Sequence, residues 1–232
     1  MKERPPAPDE WDRLLAAMRR LQALVPGTIL VGGSAAVVHA GHRLSLDGDH
    51  VVQDLRDRFD EVLATLESAE GWKTERITKP VQVLGELDGV LTGIRQLRRT
   101  QPLETESISG IRVPTLAEMA RIKAWMLLDR DTTRDYLDAV VLMDKLGEGR
   151  VASAFASFDS IYGRGPRQSP PLVELVDRLA AAQPQDRSRL ELGSYKGVKP
   201  PWTDWPHLET RGRFWASFLA KLVLERREGG RG

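Results

Sequence analysis

Hydrophobic side chains change their spacing along this chain of 232 residues, and the changes predict its elements. Over residues 9–24 the apolar positions follow helical spacing, which predicts an amphipathic helix. The apolar run at residues 28–31 predicts a short buried strand, which two glycines interrupt. Ser34 follows them and is expected to cap a small apolar helix.

Residues 43–52 alternate between polar and apolar side chains, which predicts a strand. Ser45, Asp47 and Asp49 occupy alternate positions, so we expect their side chains on one face of it. Carboxylates this close repel each other unless a proton or a cation lies between them. Mg²⁺ takes one or two protein carboxylates and completes its shell with water and substrate phosphates. The pattern therefore favours a magnesium site at the two aspartates, with two solvated surface acids as the alternative.

Helix and strand signals continue to mix over the next part of the chain. Residues 55–68 predict a second amphipathic helix. Two β-like stretches, 72–87 and 90–99, follow and are joined by Asp88-Gly89, a strong hairpin signal.

Helical spacing predominates from about Val113 onward. Helices are predicted at residues 113–130, 134–147, 150–162, 171–182 and 210–227. The expected fold class is α+β, with a mixed β-sheet domain and flanking helices at residues 1–113, followed by a helical domain at 114–232.

Composition narrows the functional classes. Hydrophobic residues make up 41% and charged residues 29%, as in ordinary globular proteins. No apolar run approaches the roughly 20 residues that cross a bilayer, and the N-terminus lacks the apolar core of a signal peptide. The absence of cysteine excludes disulfides and thiolate metal sites, so a cytoplasmic location is expected. The net charge of +1 means that any contact with nucleic acid depends on local patches.

The turn formed by Gly32, Gly33 and Ser34 lies where a strand meets a helix. A helix N-terminus presents unpaired N–H groups and a positive dipole end, which suit phosphate. A tight strand-to-helix connection without a ligand is the alternative, since the turn lacks the lysine of a P-loop. Only one short helix separates it from Asp47 and Asp49, so we expect turn and acids at the same end of adjacent strands.

The run from Gly32 to Asp49, GGSAAVVHAGHRLSLDGD, resembles the signature of the nucleotidyltransferase superfamily, which has the DNA polymerase beta-like fold and places G-[GS]-S before D-x-D. More narrowly, it is similar to the R-x-[ST]-x-D-x-D run of the AbiEii branch. Residues 114–130 and 134–142 resemble that branch's lysine-bearing helix and its [KR]-D-x-x-D helix. The matches extend over about residues 28–146.

The resemblance implies transfer of a nucleoside monophosphate from an NTP to a hydroxyl, with Mg²⁺ or Mn²⁺ as cofactor. The branch includes toxins of type IV toxin–antitoxin systems and enzymes that act on tRNA ends. The 3′ end of tRNA is therefore one candidate acceptor, and an antitoxin protein a candidate partner. The implied catalytic residues are Asp47, Asp49, Lys123 and Asp138, and the implied nucleotide-binding residues are Gly32, Gly33, Ser34, Arg43, Ser45 and Asp135.

Within that set, the resemblance implies that Asp47 and Asp49 hold the cation and that Gly33 and Ser34 cradle the β- and γ-phosphates. Lys123 would contact the triphosphate, and Arg43 a phosphate. Asp135 and Asp138 share a helix face, and one of them would orient Lys123 or meet the nucleotide. The alternative for Lys123 and Asp138 is an exposed interhelical salt bridge.

Two departures from the pattern favour an inactive relative. Gly48 stands where a bulky apolar residue is usual, and it is expected to weaken the strand. A third carboxylate on a neighbouring strand is common in the superfamily, and here Glu86 and Asp88, on one face by alternation, are the candidates. Asp88 precedes Gly89, so a hairpin-turn residue is its alternative interpretation. A binding module without catalysis, or a transferase acting on a protein or small-molecule hydroxyl, therefore remains open.

Histidines and basic clusters offer further alternatives. His39, His42 and His50 lie near the aspartates, but the first two fall on a helix and His50 faces away from Asp49, which disfavours a shared transition-metal site. Two groups of basic residues could meet RNA beside Trp202 and Trp205, or these tryptophans could pack the last helix. The groups are Arg95, Arg98 and Arg99, and Lys196, Lys199, Arg211 and Arg213.

Overall fold

The computed structural model describes residues 8–163, 169–187 and 192–229. The chain forms two compact units, Met1–Thr115 and Leu116–Gly232. The first is mixed α+β and the second is helical, so the predicted fold class is confirmed. None of the helices in the described ranges is long and apolar enough to cross a membrane. Residues 1–7 lie outside the described residues, and the expectation about a signal peptide rests partly on them.

The first unit is built from three helices and seven strands among its described residues. In chain order they are α1 (Pro8–Leu24), β1 (Ile29–Leu30), α2 (Gly32–Ala40), β2 (Gly48–Val52), α3 (Phe59–Glu67), β3 (Trp72–Thr78), β4 (Gln82–Leu87), β5 (Val90–Gln96), β6 (Thr105–Ile108) and β7 (Ile111–Pro114). Five strands form one sheet in the order β1-β2-β5-β4-β3, while β6 and β7 form a separate hairpin.

The sheet register fixes where the predicted site lies. β1 and β2 are antiparallel and pair Leu30 with His50, so the end of β1 lies beside the start of β2. β2 and β5 are parallel and pair Asp49 with Gly93. The expectation that the glycine turn and the aspartates meet at one end of adjacent strands is therefore confirmed.

One face of the sheet packs on α1 and α3 to form the core of the first unit. The core residues are Leu21, Val25, Val52, Leu55, Phe59, Val62, Leu66, Trp72, Val83, Leu87 and Ile94. Asp49 and Val51 alternate with the buried residues of β2, so they lie on the opposite, partly exposed face. The Asp49 carboxylate of the predicted site therefore lies on the sheet face opposite the core.

Three local predictions for the first unit need correction. The strand predicted over 43–52 begins only at Gly48, because β1 is two residues long and offers no partner to the preceding residues. The stretch 72–87 is two strands, separated at Lys79-Pro80, where proline has no N–H for a sheet ladder. The β6–β7 hairpin was not predicted.

The second unit contains α4 (Leu116–Arg130), α5 (Thr133–Leu146), α6 (Glu148–Phe155), α7 (Phe158–Tyr162), α8 (Pro171–Ala181) and α9 (Trp205–Gly229). The single helix predicted at 150–162 is thus two helices. The last helix begins earlier than predicted, because the Asp204 carboxylate accepts a hydrogen bond from the His207 N–H at 3.0 Å and caps it.

Gly212 lets α9 approach α5 closely. A methyl group at this position would overlap the hydroxyl of Tyr136, which is buried and donates a hydrogen bond to the Leu179 carbonyl at 3.0 Å. We expect Gly212→Ala to lower the free energy of unfolding by about 1–3 kcal/mol through overpacking. Urea denaturation measures this, with Gly149→Ala, which meets open space in α6, as control. Equal stabilities of the two variants would contradict this packing.

Candidate functional site

The two glycines of the turn lie directly against the acid-bearing segment. Gly32 has φ +73°, and a methyl group there would lie 3.2 Å from the Asp49 carboxylate. A methyl group on Gly33 would lie 2.6 Å from Ser45 Oγ and 2.9 Å from Arg43 Nη2. Since side chains disfavour both the backbone angle of Gly32 and the space at Gly33, the turn needs glycine at both positions.

Ser34 joins the start of α2 to the acid-bearing segment. α2 begins at Gly32 with Val31 as its N-cap, so the prediction that Ser34 caps the helix is wrong. The buried Ser34 hydroxyl instead donates to the Asp47 carbonyl at 2.5 Å. Its hydroxyl is therefore turned toward Asp47, so the predicted binding of phosphate at this turn rests on the backbone N–H groups.

The two aspartates differ in their surroundings. Asp47 precedes β2 and is exposed, and its Oδ1 accepts a hydrogen bond from Ser45 Oγ at 2.9 Å. Asp49 lies within β2 with its side chain 35% exposed, and its Oδ1 lies 3.4 Å from Arg95 Nη2. Asp49 lies directly against Gly32 of the turn. Asp47 is linked to the turn by Ser45, whose Oγ lies against Gly33.

This donor set fits a hard divalent cation. Asp47 and Asp49 offer carboxylate oxygens open to solvent beside a turn suited to phosphate. Within residues 8–163, 169–187 and 192–229 no three His, Cys, Asp or Glu side chains are grouped to hold a metal ion. Two protein carboxylates completed by water and phosphate are the arrangement typical of Mg²⁺.

Arg43 is buried beside the turn. Its Nη1 donates to the Leu44 carbonyl at 3.0 Å, and its Nη2 lies close to Gly33. The guanidinium therefore contributes positive charge at the start of α2, and its contact with a phosphate stays a prediction.

Neither predicted third carboxylate lies on the strand beside β2. Glu86 lies on β4, pairs in register with Leu91, and makes an ion pair with Lys73 at 3.4 Å. Asp88 is a turn residue with φ +52°, and its carboxylate accepts hydrogen bonds from the Arg20 guanidinium. Glu86 lies on the face of β4 opposite the core, but the chain leaves β4 before Asp88, so the expectation that the two acids share a strand face is wrong.

Packing explains why a glycine stands at position 48, where a bulky apolar residue is usual. A side chain at this position would overlap the sulfur of Met18, a fully buried residue of α1. The Thr92 hydroxyl donates to the Gly48 carbonyl at 2.5 Å, which holds β2 to β5. Met18 thus fills the space that a side chain on the strand would fill.

This exchange of volume predicts coupling between the two positions. We expect Gly48→Val to destabilise the protein by about 1–3 kcal/mol and Met18→Ala by about 2–5 kcal/mol. In the double variant the valine enters the space left by Met18, so the combined loss falls short of the sum by more than about 1 kcal/mol. Urea denaturation of the four proteins measures the coupling, and additive losses would contradict it.

The histidines do not form a shared site. His39 Nε2 lies 2.7 Å from the Pro114 carbonyl oxygen. His50 lies on the core face of β2, where burial lowers its pKa from 6.5 to about 3, against a smaller opposing effect of the Gly48 backbone. The transition-metal alternative therefore gains no support from these positions.

His50 makes the stability of the protein pH-dependent. Its pKa is lower in the folded than in the unfolded state, so the unfolded chain binds the proton more readily below pH 6.5. The free energy of unfolding should then fall as the pH is lowered from about 6.5 toward 3, by up to about 1.4 kcal/mol per pH unit. We expect His50→Leu to flatten this slope in urea denaturation between pH 4.5 and 7.5, whereas an unchanged slope would exclude His50 as its source.

A buried charge cluster lies in the second unit. Lys123 Nζ is 2.8 Å from Asp138 Oδ2 and 3.4 Å from Asp135 Oδ1, and all three side chains are at most 3% exposed. Asp135 also accepts hydrogen bonds from Arg130 at 2.9 Å and from the Thr132 hydroxyl at 2.8 Å. Asp135 and Asp138 share a helix face as predicted. The alternative of an interhelical salt bridge between Lys123 and Asp138 is correct about the ion pair and wrong about its exposure.

Arg130 and Thr132 were missed by the sequence analysis. Thr132 caps α5 by accepting from the Asp135 N–H at 3.2 Å, and the short gap between α4 and α5 was the available signal. Removing one partner of such a buried pair costs about 3–5 kcal/mol, because the other charge is left uncompensated.

Most residues of the two predicted basic groups form hydrogen bonds or ion pairs within the protein. Arg99 donates to the Gln101 and Pro102 carbonyls, and Arg211 forms a bidentate pair with Asp144. Arg213 pairs with Glu209 at 2.6 Å. Trp205 contacts the ring of Tyr136 and the guanidinium of Arg187, which favours its packing interpretation.

A cavity of about 280 Å³ lies at the far end of β2 from the aspartates. Its lining includes apolar and polar side chains, among them Ile29, Leu97, Gln53, Asp54, Arg58 and Arg112. Arg58 is held by the Pro26 carbonyl and by Asp54. The cavity is therefore separate from the glycine turn.

Comparison with known proteins supports the fold. No family model matches the chain. The crystal structure of JHP933 from Helicobacter pylori aligns with 97% of this chain and 97% of its own, with a TM-score of 0.54 and 15% identity. A second H. pylori structure, described as a candidate nucleotidyltransferase, aligns over 95% of this chain and 98% of its own, with a TM-score of 0.55 and 15% identity. At this identity the likeness shows a shared fold.

Curated proteins match only part of the chain. It is 29% identical over 121 residues to the mycolic acid-containing lipids exporter MmpL11 of Mycolicibacterium smegmatis, which covers 50% of this chain and 12% of that protein. It is 32% identical over 95 residues to the heme uptake protein MmpL11 of Mycobacterium tuberculosis, covering 38% and 10%. The chain therefore spans about a tenth of the length of these relatives.

Proposed function

We propose that the chain is a nucleotidyltransferase that moves a nucleoside monophosphate from an NTP to a hydroxyl and releases pyrophosphate. The observation that carries the proposal is the contact of the Gly32-Gly33 turn with the segment bearing Asp47 and Asp49. A phosphate-binding turn and a pair of hard oxygen ligands are thereby joined in one place. The fold shared with the H. pylori structure described as a candidate nucleotidyltransferase agrees with this reaction.

The turn supplies the phosphate site. The first N–H groups of α2 have no partner within their helix, and they lie at the positive end of its dipole. Arg43, buried next to Gly33, adds a positive charge there. The β- and γ-phosphates of a nucleotide are the groups that this charge distribution favours.

Asp47 and Asp49 would hold Mg²⁺ or Mn²⁺. Such a cation, when bound with the nucleotide, offsets the negative charge that develops as pyrophosphate leaves. The protein contributes by holding the two aspartates in place, since their main-chain carbonyls accept hydrogen bonds from Ser34 Oγ and from the Val31 N–H at 2.8 Å.

In the reaction, the acceptor oxygen forms a bond to the α-phosphorus while the bond to the leaving pyrophosphate breaks. The acceptor proton passes to solvent, which reaches the exposed Asp47 side of the site. A strong base is dispensable, because phosphoryl transfer depends mainly on positioning and on charge stabilisation. The lack of an acid on β5 is therefore compatible with activity.

Lys123, Asp138 and Asp135 enter the proposal through the resemblance alone. Lys123 would bind the triphosphate as a point charge, oriented by the two carboxylates. Its ammonium is enclosed by Asp135 and Asp138, so binding a phosphate requires exchange of one of these partners.

The acceptor and the biological role are also proposed from the resemblance. The 3′ end of tRNA is the first acceptor to test, with the role of a type IV toxin neutralised by an antitoxin protein.

The decisive experiment incubates the protein with Mg²⁺, total tRNA and each of the four NTPs labelled at the α-phosphate. We expect label on RNA, reduced at least about 100-fold in Asp47→Asn, because loss of a charge-stabilising group has effects of this size. Asp57→Asn removes an exposed carboxylate outside the proposed site and should retain the label.

Other outcomes separate the alternatives. Label transferred equally by Asp47→Asn would contradict the site. Label that appears only with protein or aminoglycoside-like hydroxyl compounds would identify a different acceptor. Calorimetry that shows NTP binding without transfer to any acceptor would indicate a binding module.

A further inference from the structure

Arg95 stands beside the carboxylates on the strand next to them. β2 and β5 pair Asp49 with Gly93 and Val51 with Arg95, so these residues share one face of the sheet. Arg95 Nη2 lies 3.4 Å from Asp49 Oδ1. A positive charge thus occupies the face on which a divalent cation would meet Asp49.

The contact between Arg95 and Asp49 is a weak one. The two side chains are 48% and 35% exposed, and the distance is long for a charge-assisted hydrogen bond. Among the described residues, Asp49 is the one side-chain partner of Arg95, and this contact uses one nitrogen of a guanidinium that carries five N–H donors. An ion pair of this kind contributes little to stability and is readily exchanged.

We infer that Arg95 is a phosphate ligand of the substrate, and that it pairs with Asp49 only while no nucleotide is bound. The inference rests on the proposed function. A divalent cation at Asp49 repels the guanidinium, while the phosphate chain that arrives with the cation offers it a bidentate partner of opposite charge. Arg95 therefore exchanges a carboxylate for a phosphate.

This exchange couples the two ligands. The free protein holds a cation weakly, because Arg95 competes for Asp49. With the phosphate chain present, Arg95 adds a contact instead of competing. Arg95 thus favours joint binding of cation and phosphate over binding of the cation alone, a positive coupling between two ligands.

The test measures binding of Mn²⁺, by the electron paramagnetic resonance signal of the free ion, with and without inorganic tripolyphosphate. Arg95→Gln should bind Mn²⁺ alone about 2- to 5-fold more tightly than the wild type, because a competing charge is removed. With tripolyphosphate, it should bind the Mn²⁺ complex about 10- to 100-fold more weakly, because a charge-assisted contact is lost.

Two further variants separate charge from geometry. Arg95→Lys keeps the charge but loses the planar fork of the guanidinium. Its affinity for Mn²⁺ alone should match that of the wild type. Its affinity for the complex of Mn²⁺ with tripolyphosphate should lie between those of the wild type and Arg95→Gln. Arg98→Gln removes an equal charge from an exposed arginine beyond β5 and should behave as the wild type in both measurements. Thermal denaturation of each variant checks that the fold is retained.

The inference is overturned if Arg95→Gln matches Arg98→Gln in both measurements, if it binds Mn²⁺ alone more weakly than the wild type, or if the wild type binds no Mn²⁺ in the presence of tripolyphosphate. Neither measurement needs catalysis. A protein that shows both shifts but transfers no nucleotide keeps this inference and loses the proposed reaction. Transfer at the wild-type rate by Arg95→Gln overturns the inference and leaves the reaction standing.

Discussion

The candidate site depends on how the end of β1 holds the start of β2. The Val31 N–H donates to the Asp49 carbonyl, and the Ser34 hydroxyl donates to the Asp47 carbonyl. Both aspartates are thus fixed through their main chains, which leaves their carboxylates available for other partners. Because β1 is only two residues long, the chain enters α2 at once, and the same few residues position the turn and the acids.

The alternation of polar and apolar residues predicted which face of β2 carries Asp49, but not where the surrounding strands and helices begin and end. Spacing placed Asp49 on the face opposite the core, and it predicted the α+β class, because side-chain period follows from local backbone geometry. Ser45 and Asp47 precede β2, so the common strand face expected for all three residues is not formed. It missed the late start of β2, since a strand exists only where a partner strand pairs with it. The Ser34 hydrogen bond to Asp47 likewise joins positions whose contact depends on the tertiary fold.

Burial was the property that sequence predicted least well in the second unit. Helical spacing correctly placed Asp135 and Asp138 on one face of α5. It could not show that Lys123 is enclosed, because exposure depends on everything that packs around a residue. The enclosed charges also link chemistry to folding, since a variant lacking one partner leaves the others buried without compensation. Loss of activity in such a variant would therefore not by itself identify a ligand of the substrate.

Met18 and Gly48 show that a core position can be filled from either of two elements. The thioether of α1 occupies the volume that a branched side chain on β2 would otherwise occupy. A motif defined by the strand alone marks Gly48 as a departure, although the side chain of Met18 fills the core at that position. Comparisons between homologous chains at this site are therefore informative only when the helix residue and the strand residue are compared as one unit of constant volume.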